Sequence, residues 1–158
     1  MSVNVEYEVI GAGSDEYLED AWALKEQIRQ RESVLRQRRG FFVETFRRSR
    51  VHCYRADETL VGFAAVRRDG YVLFLAVNPG FRGEGYGRRL IADVAENNRT
   101  VTCHARTTNE EALAFYRHVG FTVERRIEGY YEDGGDAYYL KLGEDEGLTT
   151  KLSKLVKR

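Results

Sequence analysis

A chain of 158 residues with 42% hydrophobic and 32% charged residues, one Pro and 15 Gly can bury one substantial core and has the composition of a soluble globular domain. Its 25 Lys+Arg balance 25 Asp+Glu, and a net charge of zero excludes a dedicated nucleic-acid binder that works chiefly by charge. No apolar run nears the roughly 20 residues that span a bilayer, and the opening MSVNVEYEVI lacks the basic flank and apolar stretch of a signal peptide, so the expectation is a cytoplasmic protein without membrane contact.

Val3 to Ile10 alternates apolar and polar residues, the period of a half-buried strand, and Gly11 to Gly13 end it. Ser14 then offers an N-cap, with Asp15 and Glu16 in the first turn. Leu18, Ala21, Trp22, Ile28 and Leu35 share one face of a helix running to about Arg38, possible to break near Ser33, and Gly40 stops it. A short helix over Phe41 to Arg48 follows. Charge is uneven here: residues 1 to 20 carry only acids, whereas Arg29, Arg31, Arg36, Arg38, Arg39, Arg47, Arg48 and Arg50 crowd the next segment.

Val51 to Arg55, Thr59 to Val66 and Tyr71 to Val77 read as an antiparallel meander separated by turns at Ala56 to Glu58 and Arg67 to Gly70. The stretch NPGFRGEGYGRRL, Asn78 to Leu90, packs four glycines into eight residues and leads into a helix whose apolar face is Leu90, Ile91 and Val94. Thr100 to Ala105 is a strand, and Thr108 or Asn109 caps a helix that Gly120 terminates. Phe121 to Glu128 and Ala137 to Leu142 form a last hairpin. The order is β α α β β β α β α β β: an α/β fold of the α+β type with a mixed sheet, one domain over 1–143, and a charged C-terminal tail over 144–158.

Cys53 and Cys103 sit inside apolar strand-like runs and are expected to be buried, reduced thiols. Three histidines without CxxC or HxxxH spacing give no metal site. The glycines before the helix are informative, because a backbone without Cβ atoms can approach a ligand and the free amides of a helix N-terminus favour an anion. No Lys-Ser/Thr follows them, which rules out a P-loop, and no parallel βαβ unit with an acidic ribose ligand fits a dinucleotide fingerprint.

The spacing Arg82, Gly85, Gly87 after a strand ending Leu75-Ala76-Val77 resembles the pyrophosphate motif of the GNAT acetyltransferases, Gln/Arg-x-x-Gly-x-Gly/Ala. NEEALAFYRHVGF, Asn109 to Phe121, resembles that family's fourth-helix segment. The resemblance covers about Val51 to Leu142 and implies the GNAT acyl-CoA acetyltransferase fold with acetyl-CoA as cosubstrate, lying where the strands Tyr71 to Val77 and Thr100 to Ala105 splay apart. It further implies that backbone groups of Leu75, Ala76 and Val77 bond the pantetheine, that Arg82, Gly83, Glu84, Gly85, Tyr86, Gly87 and Arg88 hold the pyrophosphate, and that Asn109 contacts the pantetheine region.

Acetyl transfer to an amine needs a neutral nucleophile, a polarised thioester carbonyl and a proton for the departing thiolate. By the resemblance, Tyr116 matches the phenol that donates to the CoA sulfur. Where the bacterial ribosomal-protein N-terminal acetyltransferases carry a Glu on strand five, this chain has His104. That departure is similar to the catalytic subunit of eukaryotic N-terminal acetyltransferase E, where a strand-five His and a Tyr opening strand four, here Tyr71, act through an ordered water. An imidazole of ordinary pKa about 6.5 suits an α-amine near 7.7 to 8.0 better than a lysine near 10.4. Strand alternation puts Thr102, His104 and Arg106 on one face and Cys103 on the other.

Tyr130 and Tyr131 open the last hairpin, where N-terminal acetyltransferases commonly carry a tyrosine pair that walls the peptide cleft; they are the expected substrate-binding residues. The expected acceptor is therefore a peptide or protein N-terminus. A GNAT acting on lysine side chains or a small amine is the rival enzyme, and a CoA-binding regulatory module with little turnover is the rival from another class. The arginines from Arg29 to Arg50 read as a solvated helix face; their functional reading is attraction of an acidic peptide or the ribosome surface. His52 and His118 have no partner pattern and receive no role.

Overall fold

The computed structural model describes residues 4–143; Val3, expected to open the first strand, and the tail 144–158 lie outside the described residues. The elements are β1 (Val5–Ile10), α1 (Leu18–Glu32), α2 (Arg39–Arg48), β2 (Arg50–Ala56), β3 (Thr59–Val66), β4 (Val72–Val77), α3 (Tyr86–Glu96), β5 (Val101–Arg106), α4 (Glu110–Val119), β6 (Thr122–Ile127) and β7 (Ala137–Leu142). This is the expected β α α β β β α β α β β order. Contacts divide the described chain into two units: one runs to Arg68 and resumes over Val72–Val94, the other holds Asp69–Tyr71 and the residues from Ala95 onward.

The first unit is an antiparallel sheet in the order β1-β2-β3-β4, with Glu8 opposite Cys53, Cys53 opposite Phe63 and Phe63 opposite Ala76. Helices α1 and α2 cover it. Leu24 and Ile28 of α1 and Phe42 and Phe46 of α2 are buried with Phe63 and Phe74 of the sheet in one core cluster, and the Phe42 ring lies 4.7 Å from that of Phe74. Fully burying such a side chain contributes about 1.5–3 kcal/mol, so aromatic contact from two strands and a helix dominates this core. Gly62 of β3 is required by close approach: a Cβ there would lie 2.9 Å from the Ala76 carbonyl oxygen and 3.4 Å from Leu90 of α3.

Three local expectations are corrected. Ser14 does not cap α1; its hydroxyl accepts from the Glu16 amide at 3.1 Å in a turn, and the helix begins after Tyr17, at φ 63. The helix ends at Glu32, at the break expected near Ser33 and short of Arg38, because Ser33 turns left-handed (φ 58) and its N–H closes on the Arg29 carbonyl. Leu35 is left-handed as well (φ 55), so the chain cannot stay helical there. Gly40, read as a stop, lies inside α2, whose start at Arg39 is set by the phase that buries Phe42 and Phe46.

The second unit is a three-stranded antiparallel sheet in the order β5-β7-β6. Strands β6 and β7 form the expected hairpin, and β7 also pairs with β5, placing Tyr139 opposite His104 and Ala137 opposite Arg106. Val101, Cys103, Leu113, Tyr116, Phe121, Ala137 and Leu140 are buried. Tyr71, expected to open the fourth strand, is instead joined to Thr102 by an isolated parallel bridge, and the Thr102 amide donates to the Gly70 carbonyl at 3.1 Å. Strand β4 starts one residue later.

Candidate active site

One group of candidate residues is the loop from β4 to α3, in the first unit. Asn78 closes the strand: its side-chain oxygen accepts from the Gly80 amide at 3.0 Å and its side-chain nitrogen donates to the Leu60 carbonyl at 3.2 Å. After the turn Pro79–Phe81, Gly83 and Gly85 take positive φ (82 and 86), and a Cβ at either would meet nothing within 4 Å. These glycines are therefore demanded by conformation rather than by crowding. The loop is exposed and leads directly into α3 at Tyr86, whose first-turn amides have no acceptor inside the helix. An anion fits this arrangement.

The named cradle residues divide by what they present. Gly83, Glu84, Gly85 and Arg88 are exposed, whereas the Tyr86 ring is buried beside Phe81 and Tyr54, so Tyr86 offers its amide only. The Arg82 guanidinium donates to the Val77 carbonyl at 3.3 Å and pairs at 2.8 Å with Glu32, the last residue of α1. A carboxylate at a helix C-terminus is electrostatically unfavourable, and Arg82 offsets it. Arg89 lies flat over Tyr54 (4.7 Å) and Tyr86 (5.3 Å), and the Tyr54 hydroxyl donates to Asp93 at 2.5 Å, which fastens α3 behind the loop. Leu75, Ala76 and Val77 lie on β4, the terminal strand of its sheet, with Ala76 buried and its two neighbours half-buried.

A second group of candidate residues belongs to the other unit. His104 on β5 is half-buried, and the structure brings Tyr71 and Tyr130 onto it. The Tyr71 hydroxyl and His104 Nδ1 are 2.5 Å apart. The Tyr130 ring stacks on the imidazole at 4.2 Å and 14°, and Tyr139 closes a third side at 5.1 Å. Burial, and next a hydrogen bond to Tyr130, raise the Tyr71 phenol well above its ordinary pKa, so it is a proton donor at neutral pH.

Tyr116 on α4 is buried. Burial first and Cys103 second hold its phenol well above the usual range, and burial pushes the Cys103 thiol up to about 12; neither ionises near neutrality. Asn109 spends its side-chain oxygen on the Ala112 amide (3.1 Å) as the N-cap of α4. Tyr131 meets Tyr130 edge-on at 5.0 Å and 88°, and the Arg106 guanidinium lies 4.0 Å over the Tyr131 ring. Asp133 and Tyr139 are not singled out by the sequence, Glu32 only as an acid expected to pair within the arginine run, and Arg106 only by its strand face; no short-range pattern marks contacts that depend on distant segments.

The arginine run is substantially neutralised from within. Arg29 pairs with Glu26, Arg39 with Glu19, Arg47 with Asp15 at 3.4 Å and Arg48 with Glu44 at 2.7 Å. The acids of the N-terminal segment thus meet the bases that follow. His52 is buried, with Nδ1 2.7 Å from the Tyr7 hydroxyl. Among the described residues no three His, Cys, Asp or Glu side chains group as a metal site.

Residues 47–123 match the Acetyltransferase (GNAT) domain. Among curated proteins, the N-alpha-acetyltransferase RimI of Mycobacterium tuberculosis is 38% identical over 97 residues, 55% of this chain and 61% of that protein. N-alpha-acetyltransferase 30 of Homo sapiens is 36% identical over 80 residues, 48% of this chain and 22% of that protein. The chain therefore spans less than two thirds of the length of these curated relatives, 61% of one and 22% of the other. Among solved structures, the ribosomal-protein-S18-alanine N-acetyltransferase of Escherichia coli shares the fold with a TM-score of 0.69 at 21% identity, covering 87% of this chain and 93% of that one. Residues 47–123 are thus similar to a GNAT acetyltransferase domain.

Proposed function

We propose that the chain is an N-acetyltransferase that moves the acetyl group of acetyl-CoA to the α-amino group of a peptide or protein N-terminus, by direct attack in a ternary complex. The observation that carries the reading is the Tyr71–His104 hydrogen bond, which holds an imidazole inside a tyrosine-lined wall. The resemblance to RimI and to N-alpha-acetyltransferase 30 supports the choice of acceptor.

Acetyl-CoA supplies the activated acyl group; Arg82, Gly83, Glu84, Gly85, Tyr86, Gly87 and Arg88 are the residues that would hold its pyrophosphate, and Leu75 to Val77 with Asn109 its pantetheine. Tyr71 has one hydroxyl proton and two partners. Spent on Tyr130, that proton leaves the Tyr71 oxygen as an acceptor for His104 Nδ1–H, and the imidazole then keeps the lone pair of Nε2 for an acceptor proton. Reversed, the bond would put the proton on Nε2 and remove the base. A Tyr71 that donates to Tyr130 would thereby select the productive tautomer of His104. Tyr116, kept protonated by burial, is the donor for the departing thiolate.

Tyr130 and Tyr131 would wall the acceptor. Arg29, Arg39, Arg47 and Arg48 would have to exchange their acidic partners to engage an acidic surface such as the ribosome, so the N-terminus itself is the partner this reading rests on. The cytoplasm is the proposed location.

The test is thiol release from acetyl-CoA against peptides with free Ala-, Ser-, Met- and acidic N-termini, the same peptides N-blocked with an internal lysine, and polyamines. Turnover confined to free N-termini is expected. Reaction of lysine or small amines alone would overturn the acceptor assignment, and CoA binding without turnover of any amine would make the chain a binding module.

A further inference from the structure

We propose that Arg106 is a positioning residue that holds Tyr131, and through it Tyr130, in register with His104, and so sets how tightly the acceptor is held. The inference rests on the acceptor reading above but goes beyond it, to a residue two positions past His104 on the same strand.

The Arg106 guanidinium is used on both its face and its edge. Its carbon lies 4.0 Å over the Tyr131 ring, while Nη1 donates to Asp133 Oδ1 at 3.0 Å. Asp133 is anchored in turn, because the same oxygen accepts from the Gly135 amide at 2.9 Å. The packing is tight: a Cβ on Gly135 would come within 2.5 Å of Nη1. Only a planar fork can stack on a ring and bond a carboxylate with one group; a lysine ammonium can do one or the other.

The hairpin loop does not need Arg106 to close. Its backbone is joined by Tyr131 N–H to the Gly135 carbonyl at 3.1 Å and Gly134 N–H to the Tyr131 carbonyl at 2.9 Å, and its base by Asp136, which accepts from the Gly129 amide at 3.0 Å and from Arg126 at 2.6 Å. What Arg106 adds is the direction of the Tyr131 ring. That ring stands edge-on to Tyr130, which is 44% exposed and rests one face on His104. Tyr131 is thus the lateral stop that keeps an exposed ring stacked on the imidazole.

The experiment compares the parent with Arg106→Met, Arg106→Lys and Asp133→Asn. In Arg106→Met the KM for an N-terminal peptide should rise about tenfold, the scale of one partly desolvated cation–π contact, with the KM for acetyl-CoA unchanged. Arg106→Lys should not restore it, and Asp133→Asn, which leaves the ring contact, should show a smaller rise. A second readout needs no turnover. Only three histidines are present, so the His104 ring protons can be assigned by NMR using His104→Gln. In Arg106→Met they should move toward their positions in Tyr130→Leu, where the ring-current shift is gone. Unmoved His104 resonances overturn the proposal whatever the activity. An unchanged peptide KM in a parent that acetylates peptides also overturns it, as does an equal rise in both KM values. A parent inactive on every peptide sinks the acceptor reading instead, and the resonances then decide Arg106 alone.

Discussion

Tyr71 and His104 are separated by 33 positions and bonded at 2.5 Å, so each can be tested through the other. His104→Ala should lower kcat by roughly 10²–10⁴, the usual worth of a positioned base, and leave the KM for acetyl-CoA nearly unchanged; equal turnover at saturating peptide would remove it as base. Tyr71→Phe keeps the ring and loses the bond that selects the tautomer, so its kcat should fall by less. His52 gives a residue-scale prediction about stability. Burial first, and Arg50 second, lower its pKa, with Asp93 opposing. A depressed imidazole means that the unfolded chain binds the proton more readily, so stability is full above the ordinary value near 6.5 and is lost as pH falls through it. The urea midpoint of the parent should drop between about pH 7 and 5, and that of His52→Gln should drop less.

At the scale of elements, the loop between β4 and α3 works by backbone conformation. Gly85 sits at φ 86 with open space around it, so Gly85→Ala creates no clash but costs about 1–2 kcal/mol of left-handed strain and should re-aim the amides leading into α3. The KM for acetyl-CoA should rise severalfold in steady-state kinetics while the KM for peptide holds; a change confined to the peptide KM would contradict the cradle. Element scale is also where reading the sequence went astray. Apolar spacing through Leu35 suggested a helix to about Arg38 with a break near Ser33; the break is there, and Leu35 turns left-handed as well, which nothing in its side chain announces. Tyr71 belongs by alternation to the fourth strand, yet the turn through Gly70 binds it to Thr102.

For the whole molecule, a ligand that binds only the folded chain stabilises it by mass action. Acetyl-CoA at about a hundred times its Kd should contribute about 2.7 kcal/mol, a rise in Tm of roughly 5–10 °C, and Gly85→Ala should reduce that rise at the same concentration. Thermal melts with and without acetyl-CoA check this, and no shift at millimolar concentration would count against the cofactor assignment. The order of strands and helices, the glycine-rich turn that leads into α3, the N-cap at Asn109 and the left-handed stop at Gly120 were determined by the sequence itself, because each depends on periodicity or on the conformational freedom of a few adjacent residues. The insertion of β7 between β5 and β6, the pairing of Arg82 with Glu32, the closure of Tyr71 and Tyr130 on His104, and the seat of Tyr131 on Arg106 were decided only by tertiary structure. Those contacts join segments tens of residues apart, and their geometry depends on turns and packing that no local pattern encodes.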